Sequence, residues 1–210
     1  MTITVFGATG SVGKQLVKEA LLMDYKVKAF GRNVFVTDFP KNDNLELIQG
    51  GLFDGADIKA AIKGSDAVLS AIGGAFDGSD KSRSLGMKTI VEQMEKTNVK
   101  RIVAIGGMGI LPNEEGNLLM DAEDYPHEYI PVGMEHLKAF RYLEKSSLDW
   151  TFICAPDLVD ADATGKFLVA SESNPVGSKF KIKTGDLALF MLKELNRNEY
   201  VKQRVGIGNI

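Results

Sequence analysis

A chain of 210 residues, 44% hydrophobic and 25% charged, is long enough to bury a substantial core and has the balance of an ordinary globular protein. Its net charge of -3, without long like-charge blocks, argues against a nucleic-acid surface. No apolar run approaches the ~20 residues of a membrane span and the chain enters its first strand at once, so no membrane partner and a cytoplasmic location are expected.

The first apolar run, Ile3-Thr4-Val5-Phe6, stops at Gly7-Ala8-Thr9-Gly10-Ser11-Val12-Gly13, and Lys14 to Leu22 then carries apolar positions at helical spacing. A lone glycine pattern marks many ordinary turns, but here it sits where a strand hands over to an amphipathic helix. Glycines let the backbone turn tightly and approach a pyrophosphate, and the helix start beyond offers free N–H groups and a positive dipole end. Gly7, Thr9, Gly10, Ser11, Val12 and Gly13 are therefore candidate dinucleotide contacts. A second run, Tyr25 to Phe30, ends at Gly31-Arg32-Asn33. An NAD-preferring site places an acidic residue there, whereas Arg32 offers a fork for a 2′-phosphate. Arg32 and Asn33 point to NADP(H).

Leu45–Gln49 reads as a third strand, followed by Gly50-Gly51-Leu52 and a short helix over 57–63. The almost wholly apolar run Ala67 to Ile72 suits a strand covered on both faces, and it ends in Gly73-Gly74. A helix over 84–97 is expected to turn Leu85, Thr89, Ile90, Val91 and Met94 inward. Val99 to Ile105 is a fifth strand ending in Gly106-Gly107. Glycines at successive strand ends leave a smooth groove, so Gly51, Leu52, Ala71, Ile72, Gly73, Gly74, Ile105, Gly106 and Gly107 join the candidate cofactor contacts. The irregular stretch 108–132 is too long for a plain connector and reads as a loop over the substrate site. Its acidic residues read as a solvated face, and no ligand spacing supports a metal. A helix over 133–146 leads to a strand over 150–155 and Pro156, a further cofactor candidate. Cys154, alone in that apolar strand, reads as an inert buried thiol. Short strands over 167–170, 180–182 and 201–206 and a helix over 186–195 complete the chain.

Repeated βα units predict an α/β fold: one domain over 1–210, a Rossmann-like doubly wound parallel sheet with helices on both faces. A small C-terminal extension is expected on the substrate side.

With Gly7–Gly13, Gly31-Arg32-Asn33, Leu143-Glu144-Lys145-Ser146-Ser147-Leu148-Asp149-Trp150-Thr151 and Ala155-Pro156-Asp157-Leu158, the chain resembles the extended and atypical short-chain dehydrogenase/reductases. Within them it is most similar to the NmrA-like branch that includes biliverdin-IXβ reductase, which also reduces flavins. Glu135-His136-Leu137-Lys138 and Lys183 to Ala188 extend the likeness over nearly the whole chain. The usual catalytic pair of that superfamily is Tyr-x-x-x-Lys, in which lysine lowers the tyrosine pKa. The five tyrosines, Tyr25, Tyr125, Tyr129, Tyr142 and Tyr200, are followed four residues on by Ala29, Tyr129, Gly133, Ser146 and Arg204. The serine of that site falls on Gly107, and its adenine-contacting aspartate on Gly51, where Asp54 offers a weak substitute.

The branch places a histidine where His136 stands, making it the candidate catalytic residue; His127, in a Pro-flanked loop, reads as surface. The resemblance and the missing pair imply an NADPH-dependent oxidoreductase that reduces a flat conjugated acceptor such as a flavin, quinone or biliverdin-like compound. Phe76, Met108, Ile110 and Leu111, with Pro156, are its candidate walls. A non-catalytic NADP(H) sensor of NmrA type explains the missing pair equally well. A sugar-nucleotide epimerase or dehydratase fits less, because only about 55 residues follow Ala155. A monomer or homodimer is expected.

Overall fold

The alternation of apolar runs and helical stretches becomes ten strands and five α-helices in a computed structural model that describes residues 1–210. Eight strands form one sheet: β1 (Thr2–Phe6), β2 (Lys26–Gly31), β3 (Leu45–Gln49), β4 (Ala67–Ser70), β5 (Arg101–Gly107), β6 (Asp149–Ala155), β8 (Phe167–Ser171) and β10 (Gln203–Asn209). Their order is β3-β2-β1-β4-β5-β6-β10-β8, parallel throughout except for β8, which pairs antiparallel with β10. The chain winds outward from β1 to β3, then returns to place β4 on the other side of β1. That reversal opens a crevice at the carboxyl ends of β1 and β4.

Helices α1 (Ser11–Leu22) and α5 (Thr184–Arg197) cover one face, burying Leu16, Val17, Leu187 and Met191. Helices α2 (Gly55–Ile62), α3 (Ser82–Glu95) and α4 (Ile130–Glu144) cover the other with Ile58, Ile90 and Phe140. With helices on both faces, all four residues of β4 are buried, which is why its sequence shows no polar alternation. No helix is long and apolar enough to cross a membrane.

Four local expectations need correction. Helix α3 is rotated from the expected phase: Leu85 is exposed, while Arg83, Ser84, Gly86 and Met87 join Ile90, Val91 and Met94 on the buried side. Polar residues in the buried stripe hid that phase. Helix α4 starts three residues early because Pro131 sits in its first turn, where a missing N–H has no partner to lose. A strand absent from the expected set, β7 (Asp157–Val159), pairs in parallel with β9 (Lys181–Lys183), so the 180–182 run belongs to a separate two-stranded sheet. The 108–132 segment is pinned by wholly buried Ile110 and Leu111 and by Met120, with the glutamates and aspartates of its loop exposed. Ile110 and Leu111 are core residues, not walls of an acceptor site.

The C-terminal extension is fastened by a buried carboxylate. Asp186 accepts bonds from the backbone N–H of Thr164 (2.6 Å) and Gly165 (2.8 Å), the Thr164 hydroxyl (2.9 Å) and the Asn209 amide (2.8 Å). Burial pulls its pKa upward, but these donors outweigh burial and hold it below the usual carboxylate value.

Candidate functional site

The three glycines of the first loop do three different jobs. Gly7 lies at φ +76°, and a Cβ there would stand 2.6 Å from the Ala71 carbonyl carbon, so the turns after β1 and β4 touch. At Gly13 a Cβ would stand 2.7 Å from Ala8 Cα, and its absence lets α1 pack directly on the loop. Gly10 differs: it is exposed, its backbone is extended, and the nearest atom to an added Cβ is the Gly7 oxygen at 3.4 Å. Gly10 keeps space open beside the helix start. No side chain caps α1 and no acidic residue occupies its first turn. The N–H groups of Ser11, Val12 and Gly13 accordingly have no acceptor within the chain, the first helical bond running from Lys14 to Gly10 at 2.9 Å. By contrast α2 is closed by its own Asp54, whose carboxylate accepts from Ala56 and Asp57. Asp54 is thus engaged through Oδ1 as the cap of α2, while the residue itself stays exposed beside Gly51. Of the two, the α1 start is the one whose N–H groups and positive dipole end are left open.

Thr9 reaches across to β2, its methyl standing 3.1 Å from where a Gly31 Cβ would be. The next residue, Arg32, is exposed and forms no ion pair, while its carbonyl is fixed by the Gln49 amide at 2.9 Å. Asn33 is exposed beside it. Along the groove, Gly51 donates its N–H to Asp57 at 2.8 Å. Leu52 and Ile72 converge on Gly86 of α3, within 3.6 and 3.3 Å of an added Cβ. Ala71 and Ile105 are partly buried, packed on the α1 side of the sheet. Gly73 has nothing within 4 Å of an added Cβ. The residues expected to hold a dinucleotide thus lie along the carboxyl ends of β1, β2, β3 and β4. Gly106 stands apart: it is buried, and a Cβ there would stand 2.7 Å from the Phe152 ring, so its smallness serves packing.

The far end of the groove contains residues no local pattern revealed. Arg83, 8% exposed, donates to the carbonyls of Gly74 (3.0 Å) and Ala75 (2.9 Å) and lies 5.6 Å over the Phe76 ring. It clamps the loop after β4 and holds the otherwise exposed Phe76. Glu135, 1% exposed, accepts from Ser84, from Lys81 at 3.2 Å and from Lys138 at 3.0 Å, tying α4 to α3. Burial alone would push its pKa up, but the three donors hold it below the usual carboxylate value. The only sequence signal for either was a charge falling on a helix's buried stripe.

His136 follows Glu135 and packs on Gly107, whose added Cβ would stand 2.8 Å from its Cδ2. Its Nδ1 is buried without a hydrogen-bond partner. Burial first, then the nearby Arg83 charge, lower its pKa to about 3, against a smaller upward pull from Glu135. His136 is therefore neutral across the range, about pH 5 to 8, in which histidine usually titrates. Met108 and Pro156 are half-buried at the ends of β5 and β6, while His127 is exposed. Burial likewise raises the Cys154 thiol, which leaves it inert.

In an NADPH-dependent assay, His136→Ala is expected to lower kcat by less than about 10-fold, against the about 10²- to 10⁴-fold of a proton-donating acid. The kcat–pH profile should show no inflection belonging to this residue between about pH 5 and 8. A thousandfold loss at unchanged NADPH affinity would make His136 the acid.

A family model described as NAD(P)H-binding matches residues 7–198. The Bacillus subtilis (strain 168) protein YwnB is 26% identical over 97% of this chain and 96% of its own length. Among solved structures, a candidate exported protein from Burkholderia pseudomallei is 31% identical with a TM-score of 0.84, over 99% of both chains. A candidate NADH-flavin reductase from Streptococcus pneumoniae TIGR4 is 26% identical with a TM-score of 0.86, over the full length of both.

Proposed function

The chain belongs to the NAD(P)H-binding family, and on that premise we propose that it is an NADPH-dependent reductase of a flat conjugated acceptor such as a flavin, quinone or biliverdin-like compound. The observation that carries this reading is the pairing of an open anion cradle at α1 with a hydride-transfer end that lacks any positioned acid. At the end of β5 stands Gly107, and the side chain against it is the neutral His136. A ketone or alcohol needs a group to polarise or deprotonate its oxygen; a conjugated acceptor needs mainly alignment, with its proton taken from water. The likeness to the candidate NADH-flavin reductase supports the same direction.

The residues fit an NADP(H) molecule. Ser11, Val12 and Gly13 would hold its pyrophosphate with their free N–H groups, and Arg32, with Asn33 beside it, would meet the 2′-phosphate. Leu52, Ala71, Ile72 and Gly73 would line its middle, and Gly107 and Pro156 its nicotinamide end. When bound, the cofactor supplies a hydride equivalent. Met108 and Phe76, the latter held by Arg83, would flank the acceptor.

Steady-state assays with NADPH against flavins, quinones and tetrapyrroles test this. Reduction of riboflavin, FMN or a quinone is expected, with negligible NADP-dependent oxidation of simple secondary alcohols. Efficient alcohol turnover without reduction of any conjugated acceptor would overturn it. Tight NADPH binding with no turnover at all would leave the NADP(H)-sensor reading in its place, which the absence of a positioned acid also favours.

A further inference from the structure

Strand β8 closes one side of the eight-stranded sheet, and β10 is its only partner there. The phase of that ladder fixes which way its peptide groups point. Glu172 donates its backbone N–H to the Arg204 carbonyl at 2.8 Å, so Glu172, Ala170 and Leu168 turn their peptide groups toward β10. Phe167, Val169 and Ser171 turn theirs the other way. Their N–H groups have no acceptor within the chain, and of their carbonyls only that of Ser171 is met, by the Ser173 hydroxyl at 3.2 Å. The opposite edge of the sheet is guarded, since β3 carries the exposed Glu46; β8 reads Phe-Leu-Val-Ala-Ser, with neither charge nor proline. Charges flank it instead. Lys166 before it is exposed and forms no ion pair. Glu172 after it binds Arg204 Nε through Oε2 and accepts one N–H on Oε1, which leaves that oxygen a free lone pair.

We propose that the β8 edge receives a second copy of this chain, the two strands pairing antiparallel about a two-fold axis at Val169. Val169 then meets the partner's Val169, Phe167 meets the partner's Ser171, and Ser171 meets the partner's Phe167. All three are outward-facing residues, so each pair exchanges both of its N–H···O bonds. The same register sets Lys166 opposite the partner's Glu172 on one face of the sheet, and the symmetry repeats that ion pair at the other end. A register slipped by two residues would put Lys166 against the partner's Ala170 and forfeit both pairs. The two sheets become continuous, with the carboxyl ends of their parallel strands pointing in opposite directions. Each dinucleotide groove therefore stays whole within its own chain, and the interface is independent of the reductase reading. A single strand pair is a small contact, so association is reversible and depends on concentration.

Sedimentation velocity on the full chain, from micromolar to hundreds of micromolar, should show conversion from 22.8 kDa to twice that mass. Hydrogen exchange over Phe167–Ser171 should slow across the same range. Val169→Pro removes an N–H that makes no bond within the chain, so the variant should stay at 22.8 kDa with a native circular dichroism spectrum. Lys166→Glu, at an exposed position, brings like charges together at both ends and should raise the dimer Kd about 10-fold, an effect that shrinks with added salt. This second variant decides the matter should Val169→Pro fail to fold. Native protein that stays at 22.8 kDa throughout would overturn the proposal. So would a dimer undiminished in Lys166→Glu, or one whose formation leaves exchange in β8 unchanged.

Discussion

Gly10→Val is expected to give a folded protein that no longer holds NADPH, with Kd raised by more than about 100-fold. The separation of folding from binding follows from the local geometry. Gly10 has φ -77° and ψ 170°, which any residue adopts, and an added Cβ meets only the Gly7 oxygen at 3.4 Å. The branched side chain would instead fill the space beside the free N–H groups of Ser11, Val12 and Gly13, where a pyrophosphate must approach. Gly7 and Gly13 are the contrast: side chains there run into the backbone of Ala71 and Ala8, so Gly13→Ala should lose the fold itself. Thermal melts followed by circular dichroism, with NADPH titration by fluorescence, separate the two outcomes. Normal NADPH affinity in a folded Gly10→Val protein would remove the α1 cradle from the mechanism.

Arg32→Ala is expected to weaken NADPH binding about 10- to 100-fold, or about 1.5–3 kcal/mol, with NADH affinity little changed. Arg32 is exposed and forms no ion pair within the chain, so its removal leaves no buried charge behind and should not alter the melting temperature. A guanidinium fork gains most from a phosphate dianion and little from a bare ribose. Calorimetric titration with both cofactors measures the difference directly. Equal losses for NADPH and NADH would show that Arg32 only shapes the end of β2.

Both predictions rest on features legible from a few neighbouring residues. The glycine loop announces itself because strand, turn and helix start are contiguous, and Arg32 because it ends the next strand. Acceptor-side residues were harder to place. Ile110 and Leu111 are apolar and lie in an irregular segment, a description that suits a pocket wall and a buried anchor equally; only their complete burial decides. Leu85 is apolar and reads as inward, yet the buried side of α3 takes Ser84 instead, because Glu135, 51 residues from Ser84, satisfies that hydroxyl. A buried charge is tolerated only with such partners.

What the sequence determined by itself is the periodic and the contiguous: the βα alternation, the helix start with open N–H groups, the cation after β2, and the lack of a lysine four residues beyond any tyrosine. The tertiary structure alone decided which distant residues share a corner. Arg83 closes over the loop after β4, Glu135 joins α4 to α3, and His136 packs on Gly107 with its pKa lowered by burial and by Arg83. Periodicity records which face of an element is buried, whereas a pKa or a hydrogen-bonded cluster depends on what other elements bring to that face.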